Sequence, residues 1–121
     1  GRGEFRMNEW TMIEGEVGVQ WNRRLKRRTT GDDFDLTSAT VTLLVDSQGS
    51  RAMTVVDAAT GQVRYTTVSG DNTTGTGMLP KEGRNKDGVY YGIIKVVSGS
   101  NTYFIADPIV IRVTPAVRTS A

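Results

Sequence analysis

Neither cysteine nor histidine occurs anywhere in the 121 residues. The first absence excludes a disulfide framework and thiol catalysis. The two together exclude Ser–His and Cys–His nucleophilic sites and any histidine-ligated metal. Only three prolines are present, so long stretches are free of strand breakers. No apolar run approaches the about 18 residues that span a bilayer, and no basic-then-apolar leader opens the chain. These absences predict a cytoplasmic or virion-borne chain, or one that has lost its export signal, with no membrane partner. No heptad pattern marks a coiled coil, and no internal repeat of 20 to 50 residues is visible.

An excess of one charge sign is also missing. The formal charge is +2, and residues 1–6 (Gly-Arg-Gly-Glu-Phe-Arg) read as a cloning remnant before a start at Met7. Without them 13 basic residues face 12 acidic ones, a net +1. Global charge therefore gives no warrant for a nucleic-acid partner. At this length one domain is expected, large enough to bury about two thirds of its unfolded surface without staples.

What is present is a series of strand-length, β-branched or aromatic pieces bounded by Gly, Asp, Asn, Ser and Pro. Ile13, Val17, Val19 and Trp21 share one parity, predicting a first strand over Ile13–Trp21. The same parity carries Leu25 inward, but also Arg23 and Arg27, so a bend is expected near Asn22. Thr40–Val45 follows, with Val41, Leu43 and Val45 inward. Ala52–Val56 and Gln62–Val68 come next, with Val63, Tyr65 and Thr67 alternating in the latter. Gly88–Val97 and Thr102–Ile105 read as a hairpin closed by Ser98-Gly99-Ser100-Asn101. Ile109–Val113 is the last strand. The pattern predicts an all-β, antiparallel sandwich of about seven strands in one domain over 7–114, with 115–121 a linker or tail. Residues 69–87, rich in glycine, read as a long loop with Met78 and Leu79 tucked under the sandwich.

Four pieces also carry a family resemblance. They are Asp-Leu-Thr-Ser-Ala-Thr-Val-Thr-Leu (35–43), Val-Val-Asp-Ala-Ala-Thr-Gly-Gln-Val-Arg-Tyr (55–65), Gly-Val-Tyr-Tyr-Gly-Ile-Ile-Lys-Val (88–96) and Ile-Ala-Asp-Pro-Ile-Val-Ile-Arg-Val (105–113). In this order and spacing the series resembles the immunoglobulin-like domain of phage baseplate upper proteins and related tail proteins, over about Gly15–Val113. The resemblance implies an immunoglobulin-like sandwich and a non-enzymatic structural role in a phage tail, baseplate or fibre. It implies other phage structural proteins as partners, a place in the virion after assembly in the host cytoplasm, and no shared catalytic residues or cofactor. The isolated piece is expected to be monomeric, and a longer parent to form a homo-oligomer. The alternative is a carbohydrate-binding or adhesive sandwich on a bacterial surface.

Locally, Arg23-Arg24-Leu25-Lys26-Arg27-Arg28 places five cations in six residues. One reading is a solvated edge guarded by charge and neutralised by Asp32, Asp33 and Asp35. The other is contact with an acidic surface on a partner subunit or, last, with nucleic acid. No aromatic lies among the cations to stack on a base. Arg23, Arg24, Lys26, Arg27 and Arg28 are thus candidate partner-binding residues, with Trp10, which either covers the open side of the sandwich or docks on a neighbour. Trp21 is expected in the core. Asp32, Asp33 and Asp35 supply three hard oxygen ligands but match no calcium loop and lack its distal glutamate, so no metal site is expected. The remaining acidic residues read as turn formers. Gly75-Thr76-Gly77 lacks the lysine and helix of a phosphate cradle.

Overall fold

Alternation places Val41, Leu43 and Val45 of β3 (Ala39–Val45) inward, against Val96, Ile94 and Gly92 of β7 (Gly88–Ser98). The same row continues through Ile109, Ile111 and Val113 of β9 (Ile109–Thr114) to Trp10 and Met12 of β1 (Glu9–Ile13). A period of two thus gives four strands one shared apolar face. The structure, a computed structural model, describes residues 9–81 and 86–117. The remnant expected at 1–6 and the end of the expected tail lie outside them.

Among the described residues nine strands form two sheets. The larger runs β1-β9-β7-β3-β4, where β4 is Gly49–Ala52, and β8 (Asn101–Phe104) also pairs with β7. The smaller runs β2-β6-β5, made of Gln20–Arg24, Gln62–Thr66 and Thr54–Asp57. The chain is an all-β sandwich, with one core between the sheets that includes Trp21, Leu25, Phe34, Val63 and Tyr65.

Four expectations are corrected. The first strand is two: Gly15 and Gly18, at φ +93° and +91°, turn the chain between β1 and β2. Ile13 and Val17, expected inside, are 48% and 60% exposed. The strand count rises to nine because of that split and because one extended stretch serves both sheets: β4 pairs with β3, Met53 is buried at the crossing, and β5 pairs with β6. The ladders are not all antiparallel, since β1 runs parallel to β9. The bend after Trp21 also comes later than Asn22, as β2 stays paired through Arg24.

The 69–81 part of the expected loop is anchored by buried residues at Asp71 and Gly77-Met78, with 73–76 exposed. Its centre is Asp71, in a single 3-10 turn over Ser69–Asn72. Asp71 accepts hydrogen bonds from Arg51 Nε at 2.6 Å, the Tyr65 hydroxyl at 2.6 Å and the Val68 N–H at 3.0 Å. Arg51 also donates to the carbonyls of Gln48 and Thr76. Met78 is fully buried, and the Tyr90 hydroxyl both donates to the Leu79 carbonyl and accepts from the Leu79 N–H. Residues 82–85 lie outside the described residues.

The hairpin of β7 closes through the Ser98–Asn101 pair onto β8. β8 and β9 lie in tandem along one side of β7, with Lys95 opposite Phe104 and Gly92 opposite Ile109. Two residues more are spent on the β8–β9 side, so Ala106-Asp107-Pro108 bulges out. Bulges of this kind re-aim side chains beside binding sites.

Candidate interaction site

Beyond Arg24 the chain leaves the small sheet as a short arm, and buried contacts fix its base. Leu25 donates its N–H to the Gly61 carbonyl at 2.8 Å, and its carbonyl accepts from the Phe34 N–H at 3.0 Å. Both side chains are in the core. Lys26 pairs with Asp33 in an antiparallel bridge, Arg27 N–H donates to the Asp32 carbonyl, and Gly31 at φ +77° turns the tip. The arm is therefore a miniature hairpin that holds its cations at fixed positions.

Those cations have unequal roles. Arg24 grips Asp33 with two hydrogen bonds of 3.0 and 2.7 Å, and Lys26 adds a third at 2.8 Å. These bonds hold the Asp33 carboxyl down to about 2, so the arm stays paired until the solution is strongly acidic. Asp33 is thus committed to the arm. Asp35 bonds the Thr37 hydroxyl and N–H, which lowers its pKa too. Of the three aspartates weighed as metal ligands, two are engaged in protein hydrogen bonds and the Asp32 carbonyl serves the arm's backbone.

Arg23 continues the inward parity of β2, opposite Val63. Its side chain is 12% exposed and lies 4.0 Å from Asp107 in the bulge. Burial lowers its pKa, and Asp107 offsets that in part. Arg23 Nη1 is buried with no hydrogen-bond partner. Arg27 lies over the Phe34 ring at 4.4 Å and over Tyr103 at 5.8 Å, a cation–π contact that fixes the guanidinium. Arg28 is exposed, and among the described residues neither Arg27 nor Arg28 hydrogen-bonds a carboxylate, although Arg27 attracts Asp35 at longer range.

The arm and the β8 segment enclose a groove of about 350 Å³, with Lys26, Arg27 and Arg28 on one wall and 102–106 on the other. Phe34 and Tyr103 form its floor, their rings 5.3 Å apart and edge to face. A neighbouring cleft of about 300 Å³ runs from Arg23 to Asp107 along the same arm. The basic run read from the sequence is brought into one place, and its second wall is the β8 bulge. That wall carries no signal in the sequence, because nothing local links residue 27 to residue 103.

Trp10 is elsewhere. It is 6% exposed and stacks on Trp21, centroids 5.4 Å apart and planes 11° from parallel. Its ring is part of the buried core.

A second surface lies on the outward face of the large sheet. Leu44 and Ile93 face each other across β3 and β7, and Tyr91, 55% exposed, stands beside them. With Val45, Gly92 and Pro108 they line a shallow apolar depression of about 280 Å³ whose one acidic neighbour is Asp46.

No family model matches the chain, and no curated protein does. Among solved structures it is similar to the N-terminal domain of phage TP901-1 ORF48. The TM-score is 0.44 and the identity 8%, over 88% of this chain and 82% of that one.

Proposed function

We propose that this chain is a non-enzymatic structural module of a phage tail, baseplate or fibre, acting by assembly with other virion proteins. The phage setting is supported by the four-piece sequence resemblance over 35–113. The observation that carries the assembly reading is the apolar depression of Leu44, Tyr91, Ile93 and Pro108 on the outward face of a six-stranded sheet. Apolar surface gathered in one flat place is a feature of protein contact sites.

The adhesive alternative calls for two or three coplanar exposed rings. Tyr91 and Phe104 are the exposed aromatics among the described residues, and they make no ring contact with each other. The stacked rings are instead buried. Mixed with tail and baseplate proteins of the phage that encodes it, the domain should form a complex visible by light scattering. Leu44→Lys with Tyr91→Lys should weaken that complex. A defined sugar bound on a glycan array, with no complex formed, would replace this reading with the adhesive one.

A further inference from the structure

The groove beside the cationic arm has a backbone wall as well as a charged one. Ile105 donates its N–H to the Ile94 carbonyl at 2.9 Å. In an antiparallel ladder, hydrogen-bonded and non-bonded pairs alternate. Tyr103 and Asn101 therefore share β7's bonding, and the N–H and C=O of Thr102 and Phe104 point to the other side. No strand among the described residues pairs with that side of β8. Unpaired edges of this kind are templates for an added strand.

Opposite this edge stand Arg27 and Arg28, neither hydrogen-bonded to a carboxylate among the described residues, though Arg27 attracts Asp35 at longer range, while Arg24 and Lys26 share the one carboxylate of Asp33. We propose that the groove binds an extended acidic segment of a partner protein, added as a strand to the free edge of β8 with its carboxylates on Arg27 and Arg28. This rests on the assembly reading above and names its partner's chemistry. Guanidinium forks suit carboxylates, since two parallel N–H donors match two oxygens. Nucleic acid fits less well, because Arg27 already covers Phe34, and Tyr103 is held edge-on against that ring. The chain's own residues 1–8 hold two arginines and one glutamate, the wrong charge for this wall.

The test is fluorescence anisotropy with short labelled peptides of alternating Glu and Val, alternating Lys and Val, and a single-stranded oligonucleotide. The Glu–Val peptide should bind in a salt-sensitive way and the Lys–Val peptide should not. R27E/R28E should weaken binding at least about tenfold. Thr102→Pro removes the outward donor but no β7 bond, and prolines are tolerated on edge strands. It should abolish binding at an unchanged melting temperature. Full binding by Thr102→Pro overturns the strand addition, and preference for the oligonucleotide overturns the acidic partner. Binding that appears only after removal of residues 1–8 would show the groove to be filled by its own chain, and the proposal would fail. The L44K/Y91K variant should bind the peptide normally. Loss of the virion complex in that variant, with peptide binding intact, therefore separates the two readings.

Discussion

Asp71 is the residue on which most depends for its size. It is 2% exposed and serves three donors from three parts of the chain: Arg51 of β4, Tyr65 of β6 and the backbone of Val68. Removing one partner of a buried ion pair strands the other charge, so Asp71→Ala should cost about 3–5 kcal/mol in denaturant unfolding. A loss below about 1 kcal/mol would show that Arg51 finds water instead. Tyr65 gives the same knot a pH signature. Burial, then its bond to Asp71, raises the phenol well above its ordinary value of 10.0. The unfolded chain loses this proton near pH 10, whereas the folded chain retains it. The contribution is therefore complete below about pH 10 and lost as pH rises through the folded value. Tyr65→Phe should cost about 1.5–3 kcal/mol at neutral pH, the range for a hydrogen bond to a charged group. It should also flatten the alkaline decline measured against the parent protein. An equally steep decline in the variant would remove Tyr65 from the explanation.

The strands were legible where a period of two coincided with β-branched residues, as in Val41-Leu43-Val45 and Ile109-Ile111-Val113. The Ile13–Trp21 stretch kept the same period but not the conformation, because Gly15 and Gly18 reverse the chain at positive φ. Those two glycines were the available signal. The Asp71 knot had none, since residues 51, 65 and 71 meet only after three elements have packed. The cationic arm was half legible: its charge and its neutralisation downstream could be read, its aromatic floor could not. What holds the arm is the turn between β5 and β6. Gly61 sits at φ +73°, and a Cβ there would lie 2.7 Å from the Leu25 carbonyl oxygen and 2.8 Å from that of Phe34. Gly61→Ala should therefore push the arm's base outward and cost about 1–3 kcal/mol, the range for strained backbone. Hydrogen exchange at the Leu25 amide, which bonds the Gly61 carbonyl, should speed up while Val96 of β7, paired between β3 and β8, stays protected. Unchanged exchange at Leu25 would mean that the arm is held by its ion pairs rather than by this turn.

At the scale of the whole molecule, the problem is to hold a six-stranded and a three-stranded sheet together without a disulfide. Beside the shared core, the chain does so at two places. One is the passage through Met53, where a single extended stretch leaves one sheet for the other. The other is the tryptophan pair: Trp10 belongs to the large sheet, Trp21 to the small one, and the rings stack between them. Trp21 Nε1 also donates to the Thr11 carbonyl at 2.9 Å, tying its indole to the backbone of β1. Since β1 is held by its parallel pairing to β9, this contact joins the sheets at the side opposite β4. Trp10→Ala should thus remove both a large buried ring and a fastening between layers, at a cost of about 3–5 kcal/mol. Two indoles stacked this closely should also give an exciton signal in far-ultraviolet circular dichroism, which the variant would lose. The signal should vanish in step with the β spectrum on thermal unfolding if the tryptophan contact and the sheets form one cooperative unit. An early loss of the exciton signal, with the β spectrum intact, would show that β1 detaches first and that the sandwich holds together without it.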